Sequence, residues 1–155
     1  MKGNKKIISR LNELLADELT AIGQYVVHAE ICENLGYTKL HDVIKRRAID
    51  EMGHAEKLIA RILFLEGMPE IHGMKKISIG NDVAKQFKSD RDAELEAVKM
   101  YNESIGLVSE QDDNGTRDLL VSILKDEERH LDWLETQNSL VENLGLQNYL
   151  LSQAG

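Results

Sequence analysis

A chain of 155 residues can bury one sizeable core, and 42% hydrophobic with 30% charged residues is an ordinary soluble profile. A formal net charge of −8 argues against non-specific nucleic-acid binding and favours attraction of cations. Cys32 is the only cysteine, which excludes an intrachain disulfide and a cysteine-based zinc site.

The N-terminal stretch MKGNKKIISRLNELLADEL meets Glu13, Asp17 and Glu18 too early for the apolar core of a signal peptide. No apolar run is long enough to span a bilayer, so neither a membrane nor nucleic acid is an expected partner and the expected location is cytoplasmic. Helical spacing of apolar residues predicts a first helix from about Lys5 to Leu35, with Leu11, Leu15, Glu18, Ile22, Tyr25 and Ala29 on one stripe. Gly36 in NLGY stops it. A second helix is predicted from about Lys39 to Glu66, with Leu40, Ile44, Ala48, Glu51, Ala55 and Leu58 on one face. The stretch GMPEIHGMKKISIGND holds the only proline and forms the longest connection.

A third helix is predicted from about Asp82 to Ser109, carrying Phe87, Glu94, Val98 and Tyr101, with QDDNG as a turn after it. A fourth runs from about Thr116 to Asn143, carrying Leu120, Ile123, Glu127, Leu131 and Leu134. Gly145 ends it, and LQNYLLSQ forms a short fifth helix. Short links require antiparallel neighbours, while a long one can cross the length of a bundle. The expected architecture is an all-α four-helix bundle with a long crossover between helices two and three. No linker divides the chain, so residues 1–155 are expected to form a single domain.

Each stripe contains one glutamate: Glu18, Glu51, Glu94 and Glu127. Two are followed three residues later by histidine, giving Glu51-x-x-His54 and Glu127-x-x-His130, and this spacing places both groups on one side of a helix. The two-residue motif is weak on its own, because glutamate is common in this chain. The spacing carries more. Glu18 to Glu51 and Glu94 to Glu127 are each 33 residues, and His54 to His130, like Glu18 to Glu94, is 76. The constellation therefore occurs once per helical hairpin. Four buried glutamates without counter-charge would repel one another and lose their hydration. Two divalent cations balance them, and carboxylate with imidazole suits iron or manganese. One Glu on each of two helices with Glu-x-x-His on each of the other two is the known pattern of dinuclear carboxylate bundles. The competing reading is a set of surface charges on misplaced helices.

With these residues in view, LNELLADELTAIGQY, AIDEMGHAEKLIARILFLEG, DEERH leading into LDWLETQ, and LGLQNYLLSQ resemble the bacterioferritins over nearly the whole chain. The resemblance implies a ferritin-like bundle assembled into a hollow shell of 24 subunits, with a ferroxidase centre inside each. Glu51 and Glu127 would bridge two irons, Glu18 and His54 would complete one, and Glu94 and His130 the other. The implied activity is oxidation of Fe(II) to Fe(III) by dioxygen or peroxide, followed by storage of ferric mineral. Tyr25 and Trp133 lie in matched segments as candidate electron or hydrogen-bond donors, with ordinary core packing as the competing reading.

Met52 is rotated about 100° from Glu51 on a helix. With Ile49, Ile59 and Leu63 it forms a second apolar strip, interrupted by Glu56, which predicts packing against another subunit. Thioether sulfur can also serve as an axial haem ligand. The resemblance implies a b-type haem, or a related iron porphyrin, at a twofold subunit interface with Met52 from each subunit. That haem would carry electrons from a donor such as a ferredoxin to release stored iron, in a shell of one subunit or of two related ones. The stretch Lys45, Arg46 and Arg47 departs from relatives that carry histidine or glutamate there, which bears on the iron route to the cavity. Arg47 is placed to pair with a ligand carboxylate or to remain solvated.

His28, His41 and His72 have no acidic partner at a repeated spacing and read as structural or solvated. Cys32 reads as a small packing residue. No phosphate-binding glycine loop, nucleophile elbow or HExxH is present. Two other readings stay open: a haem-binding electron-transfer cage with structural bundle metals, and a peroxide-reducing di-iron protein of rubrerythrin type.

Overall fold

The computed structural model describes residues 1–155. Five helices follow in order: α1 (Lys5–Asn34), α2 (Thr38–Phe64), α3 (Val83–Ser109), α4 (Asn114–Leu144) and α5 (Leu146–Gln153). α1 packs along α2 and α3 along α4, each pair joined by a short link, and α5 folds back on α4 and α2. This is the expected ferritin-like four-helix bundle with a short C-terminal helix.

The helix ends have local causes. The Asn4 side chain accepts from the Lys6 amide at 2.8 Å, and the Asp82 side chain from the Lys85 amide at 2.9 Å. The fourth helix begins at Asn114, earlier than its apolar pattern suggests, because Asp113 accepts from the Thr116 amide at 3.0 Å and draws Asn114 and Gly115 into the first turn. α1 ends in a Schellman arrangement: Tyr37 N–H donates to the Cys32 carbonyl and Gly36, at φ 86°, donates to that of Glu33. The second helix ends at Phe64, just short of the expected Glu66, since Glu66 itself takes the left-handed turn at φ 60°.

The crossover, residues 65–82, runs the length of α1 and is held by a polar stripe on that helix. Asn12 bonds the Met68 carbonyl and the Glu70 amide, at 3.2 and 2.7 Å. Thr20 accepts from the Lys75 amide at 2.9 Å, and His28 Nε2 from the Gly80 amide at 2.9 Å. These backbone donors would otherwise be left without partners as the segment crosses the bundle. Gly80 is required by space, since a Cβ there would lie 2.3 Å from the Gln86 amide nitrogen.

Two apolar clusters make up the core. One contains Leu11, Leu15, Leu58, Ile62, Leu120 and Ile123. The other contains Ala29, Cys32, Ile44, Phe87, Leu134 and Tyr149. In every long helix the predicted glutamate falls between the segment feeding one cluster and the segment feeding the other. A polar layer therefore divides the apolar interior.

Candidate metal centre

All four stripe glutamates and both motif histidines are buried, at 3% exposure or less. They form two sets of four: Glu18, Glu51, His54 and Glu127, and Glu51, Glu94, Glu127 and His130. Within each set the ligand atoms lie within 4.8 Å of one another, and Glu51 and Glu127 belong to both. His54 Nδ1 is 3.1 Å from Glu51 Oε2 and 3.0 Å from Glu127 Oε1. His130 Nδ1 is 3.2 Å from Glu51 Oε1 and 3.4 Å from Glu94 Oε1. The two imidazole rings are 6.3 Å apart between centroids. The structure thus brings all six sequence-predicted residues together.

The electrostatics are those of four carboxyls buried against one another. Burial, with the charges of Glu18 and Glu127, holds Glu51 well above its ordinary value. Burial raises Glu127 likewise, against the lowering influence of the nearby His54 imidazole. Burial opposes ionisation of Glu94 too, but the close approach of His130 and Glu127 outweighs it and leaves that carboxyl lowered. Burial alone would depress His54, yet the nearby carboxyls of Glu127, Glu18 and Glu51 push it up to about 12.

Six buried polar side-chain atoms have no hydrogen-bond partner, and five belong to this cluster: Glu18 Oε2, Glu51 Oε1, Glu94 Oε2, Glu127 Oε1 and His130 Nδ1. The histidine contacts above are close but do not have hydrogen-bond geometry at these atoms. Buried polar groups normally have partners, so five orphans facing one another fit metal ions. Carboxylate oxygens with two imidazoles and no thiolate form a donor set suited to iron or manganese.

Further residues complete the surroundings. Tyr101 Oη donates to Glu18 Oε1 at 2.5 Å, and Tyr25 Oη donates to Glu94 Oε1. Burial, then the neighbouring Glu94 or Glu18 charge, raises both phenols well above their usual range, so both remain protonated donors. His54 Nε2 lies 2.9 Å from Asp126 Oδ2, and His130 Nε2 lies 3.1 Å from Asp50 Oδ2. The sequence reading put Tyr101 only on a core stripe and passed over Asp50 and Asp126. Their signal was available, because Tyr25 to Tyr101 and Asp50 to Asp126 are each 76 residues, the same offset as the ligands. A cavity of about 230 Å³ opens from the carboxylates between α1 and α3 toward the crossover, where Lys75 pairs with Asp17.

Other predicted residues lie elsewhere. Trp133 makes no bond to a ligand; it meets Phe87 edge-on at 5.9 Å and carries the Arg47 guanidinium 5.4 Å above its ring. Arg47 thus takes an aromatic partner in place of a ligand carboxylate. Met52 lies on the outer face, 48% exposed, near exposed Ile49 and Leu63, while Ile59 turns half toward the core. His28 is buried and has an acidic partner that repeat spacing could not reveal, Asp90 at 2.8 Å. Cys32 is buried, with Sγ 3.2 Å from Gln86 Oε1. His72 is exposed beside Glu70.

Comparison with known proteins agrees with this geometry. The model of the ferritin-like domain matches residues 8–144. The chain is 41% identical over 150 residues to a bacterioferritin of Streptomyces coelicolor, covering 97% of this chain and 90% of that protein. It is 42% identical over 154 residues to a bacterioferritin of Rhodobacter capsulatus, covering 99% and 96%. A bacterial ferritin of Neisseria meningitidis serogroup B is 41% identical over 154 residues, covering 99% of each. A four-helix bundle with this buried carboxylate and imidazole layer, related at this level along almost its whole length, belongs to the bacterioferritin family of ferritin-like proteins.

Proposed function

We propose that the chain is an iron-storage ferroxidase, with residues 1–155 acting as one ferritin-like domain. The carrying observation is the pair of four-residue ligand sets sharing Glu51 and Glu127, with orphaned buried atoms facing one centre. Two Fe(II) ions are the substrate. Glu18 and His54 hold one, Glu94 and His130 hold the other, and Glu51 and Glu127 bridge them. Adjacent ferrous ions together supply two electrons to one oxidant, dioxygen or peroxide. Hard carboxylate oxygens favour the ferric product, and the imidazoles keep the site competent for ferrous iron. The ferric product passes to a mineral inside a shell of 24 subunits, built in the cytoplasm from this chain alone or with a related one.

Glu18→Ala and Glu127→Ala test this reading by stopped-flow measurement of ferrous oxidation. Each is expected to slow the fast phase by at least about tenfold. Unchanged rates in both would instead favour a cage with structural bundle metals. The rubrerythrin-type reading has less support, because within these 155 residues Cys32 has no second cysteine with which to form the Cys-x-x-Cys iron site that such proteins usually carry.

Met52 supports a second element of the proposal. A soft thioether on an exposed apolar strip fits a haem shared between two copies, one Met52 sulfur from each. When bound, the haem supplies a one-electron path between an external donor, such as a ferredoxin, and the stored iron. Ile49, one turn before Met52 and also exposed, would add apolar surface beside that site and help exclude water. Met52→Leu is expected to lose a low-spin bis-thioether haem spectrum while ferrous oxidation at the buried site continues. Retention of that spectrum would remove Met52 from the role.

A further inference from the structure

The cavity between α1 and α3 joins the buried carboxylates to the surface at the crossover. Glu18, Glu51, Glu94 and Glu127 all line it, and neither His54 nor His130 does. An ion entering here therefore meets carboxylate oxygens before imidazoles. The walls include Leu14, Ala21 and Ala97, which offer a cation nothing to bind. The mouth carries two acids, Asp17 and Glu96, and two lysines of the crossover, Lys75 and Lys76. Four buried acids draw a cation inward, while the charges at the mouth cancel.

Lys75 is held at this mouth twice. Its backbone amide donates to Thr20 Oγ1 at 2.9 Å, and its ammonium pairs with Asp17, one turn before Thr20 on α1. Thr20 itself donates to the Ala16 carbonyl at 2.8 Å, which fixes the direction of its oxygen. Asp17 adjoins Glu18 in the chain and is the acid of the mouth that Lys75 occupies. The pair is partly exposed, with 27% of the Asp17 side chain and 52% of that of Lys75 accessible. Ion pairs of this exposure are weak and open by thermal motion. The flexible lysine stem can swing into solvent while the backbone stays bonded to Thr20.

We propose that Lys75 is an electrostatic latch on a path by which ferrous iron enters the buried centre, and that Asp17 is the transit ligand the latch covers. This rests on the dinuclear reading above. With the latch closed, an ammonium stands in the mouth and Asp17 is withdrawn from passing cations. With it open, Asp17 attracts the ion and delivers it to Glu18. The rate of entry is thus set by a charge on the crossover, a segment that supplies no ligand to the centre.

Co(II) is the probe, because it gains visible absorption on coordination and reports entry without oxidation. Its binding to the intact assembly is followed by stopped flow in the unaltered chain and in Lys75→Arg, Lys75→Met, Asp17→Asn and Thr20→Val. Lys75→Arg keeps the charge and the pair, and its rate is expected to stay within about twofold. Lys75→Met is expected to bind about 3–10-fold faster, and Asp17→Asn more slowly by a similar factor. All are expected to reach two Co(II) per subunit, since none removes a ligand. Equal rates in Lys75→Met and Lys75→Arg would overturn the latch. Thr20→Val loosens the backbone tether and keeps the charge, so an acceleration there as large as in Lys75→Met would also overturn it, by assigning the effect to loosening. Combining Lys75→Met with Asp17→Asn is expected to bring the rate back below that of Lys75→Met alone, and an unchanged rate would remove Asp17 from the path. Fewer than two Co(II) bound by the unaltered chain would overturn the dinuclear reading itself, whereas two bound at rates indifferent to Lys75 overturn only the latch.

Discussion

Glu51 and Glu127 show how a single residue type acquires its chemistry from its neighbours. Both carboxyls are held above their ordinary value, with burial the main cause, and His54 is held near 12 by three carboxylates despite burial. The sign for stability of the metal-free protein follows directly. A folded-state value above the unfolded one contributes stability that is complete below the unfolded value and is lost as pH rises toward the folded one. For His54 that loss begins at its ordinary 6.5 and continues toward about 12, and Glu51 and Glu127 act in the same direction above 4.5. Glu94, held low, contributes above 4.5 and loses its contribution only on the acid side. Chelated protein is therefore expected to unfold at a lower temperature at pH 9 than at pH 6.5. Metal affinity should rise over the same interval, because binding releases protons. A flat or rising thermal midpoint across this interval would contradict the assignment.

The crossover shows that a segment without regular structure can be as firmly specified as a helix. Its backbone amides are satisfied by Asn12, Thr20, Gln24 and His28, which are spaced along one face of α1. The fully buried His28 is the strongest of these links, since Nδ1 binds Asp90 on α3 while Nε2 accepts from Gly80. His28→Ala leaves the Asp90 carboxylate buried with only Gln24 as a partner, and is expected to cost about 3–5 kcal/mol. Amide exchange at Gly80 should rise by a larger factor than exchange in the middle of α1. Equal increases at both places would show global loss of stability and no local anchor. The sequence reading left His28 as structural or solvated; its burial decides for a structural role, and its partner had no sequence signal. Asp90 is 62 residues away and follows no repeat.

Across the whole molecule, one face of α2 is left apolar and uncovered, with Ile49 and Leu63 both more than half exposed. A strip of this kind on a bundle helix is normally covered by another chain. Leu63→Glu is expected to raise the concentration needed for subunit association by about tenfold or more, since covering one large apolar side chain contributes ~1.5–3 kcal/mol. Analytical ultracentrifugation across a dilution series measures it, and an unaltered distribution would mean that this face does not take part in assembly. Helix content should persist, because neither apolar cluster includes Leu63.

The four helices, the long crossover and the six clustered glutamates and histidines were legible in the sequence because each rests on periodicity. A helix returns to the same side every 3.6 residues, and a duplicated ligand set leaves a fixed offset that needs no coordinates. Helix ends were legible to within a few residues, and the differences arose where Asp113 and Glu66 took over the local backbone bonds. The tertiary structure alone decided how the hairpins cross-brace, which nitrogen of each histidine faces the centre, and that Arg47 stacks on Trp133 rather than pairing with a ligand. Those contacts join residues far apart in the chain through directions set by helix packing. Periodicity within one helix fixes which side a residue takes, but the partner it meets there depends on where the other helix comes to rest.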